Sequence, residues 1–79
     1  MTSVHDLRYR VVRSVLKELR ASADLTQVEI AAALDVGQSF VSKVERGEAN
    51  LDLLFFVRWC QVCKRKPDQV LAEIVRKIS

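Results

Sequence analysis

The sequence predicts an all-α fold, a compact bundle of five helices, and two observations carry that prediction. Apolar residues recur at three- and four-residue steps along most of the 79-residue chain, the period of helices packed on one side. With 49% hydrophobic residues but only two glycines and one proline, turn formers are too scarce for a sheet of many hairpins. A chain this short forms one domain, residues 1–79, with an economical core.

The first helix is expected over about residues 6–23, where Leu7, Val11, Val12, Val15, Leu16 and Leu19 form an apolar stripe. Its other face carries Arg8, Arg10, Arg13, Lys17 and Arg20, a basic flank in which each cation is either solvated or in contact with a phosphate. The second helix, 26–34, opens on Thr26-Gln27-Val28-Glu29, a capping box: the threonine hydroxyl accepts from the Glu29 N–H while the Glu29 side chain reaches back. Ala31, Ala32 and Ala33 let a neighbouring helix approach closely.

Asp35-Val36-Gly37 breaks the pattern, because Asp tolerates the left-handed conformation and Gly37 supplies either an unusual dihedral or a modest N-cap. A third helix, 38–46, turns Val41 and Val44 inward and leaves Gln38, Ser39, Ser42 and Lys43 on its surface, with Gly47 as the C-cap. The fourth, 51–63, is apolar on nearly every side and must be covered all round. One small domain covers one face, so the rest is expected to meet a second copy, with Leu54, Phe55, Arg58, Trp59 and Val62 as the homodimer interface candidates. Lys64-Arg65-Lys66 suits the negative pole of that helix, and Pro67 starts the fifth, 67–78, whose stripe is Val70, Leu71, Ile74, Val75 and Ile78.

Composition narrows the function classes. Thirteen Lys and Arg against ten Asp and Glu give a net charge of +3, which suits a polyanionic partner without demanding one. The N-terminal MTSVHDLRYR is polar where an export signal is apolar, so the expected location is the cytoplasm. The run Leu51 to Cys63 contains Asp52 and Arg58 and falls short of the ~20 residues that a membrane span needs. Cys60 and Cys63 share a helix face, but a structural zinc site takes four ligands and His5 is the only histidine; buried apolar cysteines are expected, with no metal and no cofactor. Catalysis is not expected either, since Ser39 and Ser42 lack a partner base and there is no Gly-rich phosphate loop.

Two short helices joined by a tight turn, the second with a polar surface, make the helix-turn-helix pattern, in which the second helix fits the major groove of DNA. There Gln pairs with adenine through two hydrogen bonds, Lys reaches guanine O6 and N7, and Ser serves either base, so Gln38, Ser39, Ser42 and Lys43 bring the required chemistry on one helix.

In order and spacing, Leu25-Thr26-Gln27, Ile30-Ala31, Leu34, the run Gln38 to Glu48 and Leu51-Asp52 resemble the lambda-repressor-like, Xre/Cro-type helix-turn-helix regulators, over roughly residues 19–71. The resemblance implies a lambda-repressor-like domain that binds double-stranded DNA, with helices two and three as the helix-turn-helix. It implies that Gln27 bonds a phosphate and buttresses Gln38, that Gln38 reads adenine, and that Ser39, Ser42 and Lys43 add base or nearby phosphate contacts. Arg46 is then expected to grip the DNA backbone, and Arg20 to pair with Glu45 and tie the reading helix to the scaffold. The sequence departs from the family pattern at Asp35 and Gly37. It departs again at Phe40, which either packs on the scaffold or touches a thymine methyl or the sugar backbone, and at Phe55, Arg58 and Trp59.

The function expected is that of a transcriptional regulator, a repressor reading a palindromic operator as a homodimer. The alternative keeps the scaffold but binds a protein, as an antitoxin binds its toxin; such a surface should expose apolar anchors, and on the third helix only Phe40 qualifies.

Overall fold

The computed structural model describes residues 7–79, and its helices are α1 (Leu7–Ser22), α2 (Gln27–Leu34), α3 (Gln38–Arg46), α4 (Leu53–Val62) and α5 (Pro67–Ile78). His5 and Asp6, which entered the zinc argument and the expected start of the first helix, lie outside the described residues.

The chain punctuates its first four helices in one way. Each is followed by a residue with positive φ: Asp24 (60°), Asp35 (58°), Gly47 (79°) and Lys64 (59°). After each of these the next N–H bonds the carbonyl five residues back: Leu25 to Arg20, Val36 to Ala31, Glu48 to Lys43 and Arg65 to Cys60, at 2.8–3.1 Å. This closing motif satisfies carbonyls that a helix end otherwise leaves open. Only the third instance uses glycine, and the reason is tertiary: a Cβ on Gly47 would stand 1.8 Å from Nη1 of Arg13. Gly37, by contrast, sits at φ −77°, ψ 152° as the N-cap of α3 without a side-chain bond, so its role is that of the modest cap.

The starts are local too. At α2 the Glu29 N–H donates to Oγ1 of Thr26 at 3.1 Å and the Thr26 N–H donates to Oε1 of Glu29 at 2.9 Å, forming the capping box. The Asp52 carboxylate accepts from the Phe55 N–H at 2.8 Å and so caps α4, which begins at Leu53, two residues later than the apolar run suggests.

The core gathers Leu16 of α1, Ile30 and Leu34 of α2, Val41 and Val44 of α3, Trp59 and Cys60 of α4, and Val70 of α5. Trp59 is its centre: it is 0% exposed and its Nε1–H donates to the Leu16 carbonyl at 3.0 Å. Burying such a ring with its one polar atom satisfied is a large stabilising contribution and joins α1 to α4. Two expectations for α4 are thereby corrected. Trp59 has no surface to offer a second copy, and the helix is less in need of a partner than its apolar sequence implies. Phe56, Trp59, Cys60 and Cys63 are covered by the chain's own core, Phe55, Val57 and Val62 pack partly against it, and only Leu53 and Leu54 stand out, at 75% and 71% exposure.

Arg58 spends one guanidinium N–H on the Leu34 carbonyl at 2.8 Å, at the C-terminal end of α2, where a cation also complements the helix dipole. Tyr9 ties down the α3–α4 connection: its hydroxyl accepts from the Leu51 N–H at 2.9 Å and donates to the Ala49 carbonyl at 3.4 Å. Among the described residues no helix is long and apolar enough to cross a membrane.

Candidate nucleic-acid interface

Four side chains from three helices form a relay that ends on the exposed face of α3. Arg20 donates from Nε and Nη2 to the two oxygens of Glu45, at 2.6 and 3.1 Å. Gln27 donates from Nε2 to Glu45 at 2.9 Å, and Gln38 donates from Nε2 to Oε1 of Gln27 at 2.8 Å. The pair at the root is largely withdrawn from water, with side chains 14% and 3% exposed. Hydrogen bonding to Glu45 raises the Arg20 pKa above its ordinary value, so the guanidinium stays charged.

The polarity of this relay is set by chemistry. A carboxylate only accepts, so Gln27 must turn its NH₂ towards Glu45, and its carbonyl oxygen therefore faces Gln38. That oxygen in turn requires the NH₂ of Gln38 on its side. Among the described residues the Gln38 carbonyl oxygen and second amide N–H are left unpaired, one acceptor and one donor side by side. This is the complement of the adenine edge in the major groove, where N6 donates and N7 accepts. Gln27 likewise keeps one amide N–H, at the start of α2, where helix N-termini favour phosphates.

The rest of the α3 surface is polar. Ser39 and Lys43 are exposed; Ser42 is half-buried and accepts from Nη1 of Arg46. Arg46 is also held by Glu48, Nε to Oε2 at 2.7 Å and Nη2 to Oε1 at 3.1 Å. The hydrogen bond from Arg46 holds the Glu48 carboxyl below the usual carboxylate range. Behind this end of α3, Arg13 donates from Nη1 to the Arg46 carbonyl at 2.6 Å and lies 5.9 Å from the Tyr9 ring centre. One cation of the basic flank thus serves the helix C-terminus.

Comparison with known proteins places the arrangement. The family model described as helix-turn-helix matches residues 16–70. A solved structure, an XRE-family like protein from Pseudomonas syringae pv. tomato, is 36% identical and superposes with a TM-score of 0.87 over 96% of this chain and 93% of its own. The chain belongs to the XRE-type helix-turn-helix family.

Two structures of the clp gene regulator ClgR from Corynebacterium glutamicum share the fold. Their identities are 24% and 23%, each has a TM-score of 0.79, and they cover 91% and 94% of this chain and 77% and 95% of their own. No curated protein matches the sequence significantly. The family is one of DNA-binding transcriptional regulators.

For Phe40 the sequence left two places open, the scaffold or the DNA side. Phe40, 37% exposed, packs edge-on against Phe55 with ring centres 5.5 Å apart, and Phe55 packs in turn on Trp59 at 6.0 Å. This aromatic ladder braces α3 from α4, so the scaffold takes one face of Phe40. Of the interface candidates, Leu54 is fully available, Phe55 and Val62 are half-buried, Arg58 is engaged with Leu34, and Trp59 is enclosed. Exposed apolar side chains also occur on α5, at Leu71, Val75 and Ile78. Tyr9, Arg13 and Glu48 carry no local signal of their roles; for Glu48 the only hint is its place two residues beyond Arg46, across a glycine.

Cys60 and Cys63 are free and buried, and burial pushes the Cys60 thiol up to about 11 and raises that of Cys63. Both stay protonated near neutral pH and act as small apolar residues.

Proposed function

We propose that this protein is a sequence-specific transcriptional regulator that lays α3 in the major groove of double-stranded DNA. Gln38 reads adenine, Ser39, Ser42 and Lys43 add base or adjacent phosphate contacts, and Gln27 and Arg46 hold the backbone. The observation that carries this reading is the relay from Arg20 through Glu45 and Gln27, which turns the unpaired donor and acceptor of Gln38 outward. A side chain already held in its bound rotamer loses little entropy on contact, which favours discrimination between bases.

It acts as a homodimer on a palindromic operator and represses from there, in the cytoplasm, without a cofactor or a catalytic step. The exposed Leu53 and Leu54, and the stripe Leu71, Val75 and Ile78, support self-association. Two α3 helices related by a twofold axis read half-sites ~10 base pairs apart or a small multiple of that. A protein-binding α3 is disfavoured, because its one large apolar side chain, Phe40, is already packed on Phe55.

The test is selection of bound duplexes from a random DNA pool, followed by binding of the Gln38→Ala and Arg46→Ala variants. Enrichment of a palindrome containing adenine is expected, with Gln38→Ala losing ~1–3 kcal/mol of preference at one position in each half-site. Arg46→Ala should weaken binding to all sequences alike. A pool that yields no enriched duplex overturns the proposal.

A further inference from the structure

Glu48 stands among the cations and hydroxyls assigned to DNA. Gly47, in the left-handed conformation, turns the chain so that the Glu48 N–H bonds the Lys43 carbonyl at 2.8 Å, which fixes the Glu48 backbone one turn from the reading surface. From there its carboxylate takes two nitrogens of Arg46, while the third, Nη1, bonds the Ser42 hydroxyl. Three of the five guanidinium N–H donors of the expected phosphate grip, one on each nitrogen, are therefore engaged within the protein. Arg46 and Glu48 nevertheless remain open to solvent, with side chains 52% and 56% exposed. Lys43 adds a favourable electrostatic contribution at the carboxylate.

We propose that Glu48 is an intramolecular stand-in for a DNA phosphate, an affinity-setting residue that competes with the duplex for Arg46. The claim rests on the reading of α3 as the DNA surface and deepens it. A carboxylate presents a planar pair of oxygens to the fork of an arginine, as a phosphate does, so the two anions are alternatives for the same donors. A duplex must displace Glu48 before a phosphate takes the Nε and Nη2 fork of Arg46, and the displaced carboxylate then lies beside a phosphate of like charge. Both effects oppose backbone binding on every sequence. The cost is the same on selected and non-selected duplexes, and on a selected site the base contacts of Gln38 offset it. Glu48 thus lowers the affinity for every duplex by a similar factor, which leaves non-specific binding weak while the base contacts of α3 set the ratio between operator and background.

The experiment compares the parent chain with Glu48→Gln and Glu48→Ala, and with Asp68→Asn as a control that removes the same unit charge from α5. Binding to a duplex of about 20 base pairs without any selected site, and to a selected duplex, is titrated over a range of salt. Both Glu48 variants are expected to bind the non-specific duplex about 3- to 10-fold more tightly at low salt. Their dependence of log K on log salt should be steeper by up to about 0.9, the contribution of one newly released phosphate contact. They should gain by a similar factor on the selected duplex, so the ratio of the two affinities is kept, while Asp68→Asn changes the salt slope little. Thermal unfolding verifies that each variant is folded. If the parent binds DNA and the folded Glu48 variants bind non-specific duplex equally or more weakly, with an unchanged slope, Glu48 is no competitor and the claim is overturned. If the parent binds no duplex at all, the proposed function falls, and the claim with it.

Discussion

Removing the Glu45 carboxylate should disable two properties at once, and the size of the first follows from the geometry. Glu45 accepts at 2.6 and 3.1 Å from Arg20 and at 2.9 Å from Gln27. In Glu45→Ala the Arg20 guanidinium, in a side chain only 14% exposed, retains just its 2.8 Å bond to the Leu25 carbonyl, and the Gln27 amide loses its acceptor. Breaking a buried pair by deleting one partner costs about 3–5 kcal/mol, and the partial exposure of Arg20 puts this case near about 3 kcal/mol. Against a total stability of about 4–12 kcal/mol for a domain of this size, that is a large share, equivalent to a fall in Tm of about 12–24 °C.

Urea unfolding followed by the fluorescence of Trp59, the single tryptophan, measures it. The double variant Arg20→Met, Glu45→Met leaves no buried charge and should regain most of the stability. It nonetheless leaves Gln27 without the carboxylate that orients it, so preference for the base read by Gln38 should stay relaxed in a folded protein. A loss below about 1 kcal/mol for Glu45→Ala would put this pair among ordinary surface bridges and refute the energetic argument. A double variant with full sequence preference would refute the relay.

Gly47→Ala should destabilise the domain by about 2 kcal/mol, because it combines a left-handed alanine with displacement of Arg13 from the end of α3. Arg13→Ala should cost less in that background than in the parent, and strictly additive losses would show that the two sites are uncoupled. Glu29 provides a pH signature. Hydrogen bonds from the Thr26 backbone N–H and hydroxyl lower its pKa from the ordinary 4.5, so its contribution is complete above that value and is lost as the pH falls through the lowered one. The parent should therefore exceed Glu29→Gln in stability near neutral pH, with the gap closing on acidification; a gap unchanged at about pH 3 in urea titrations would contradict the assignment.

Much of the fold is legible because its signals are local. The capping box at Thr26, the breaker at Asp35, Gly47 after the third helix and Pro67 before the fifth each act over a few residues, and the apolar period of the helices needs no knowledge of partners. The fourth helix shows where this reasoning ends. Its apolar residues point in every direction, and period alone does not say whether a given direction meets α1, α2, α5 or a second copy. Trp59 and Leu54 look equivalent in sequence, yet one is 0% and the other 71% exposed.

The candidate site divides in the same way. Residue types along the third helix point to Gln38, Ser39, Ser42 and Lys43, whereas Arg20 with Glu45 and Gln27 with Gln38 are suggested only by the family resemblance. Nothing near Arg20 points to a carboxylate 25 positions away.

The sequence by itself determined the all-α class and much of the punctuation of the helices, since these follow from propensities and spacings within a turn or two of chain, and it suggested the family through a resemblance that runs over most of its length. Only the tertiary structure decided that Arg13 fills the space above Gly47, that Tyr9 holds the connection at Ala49 and Leu51, and that Glu48 rather than solvent receives Arg46. Those contacts depend on how helices cross, and crossing is settled by the packing of the whole core around Trp59, a cooperative property that no short stretch of residues encodes.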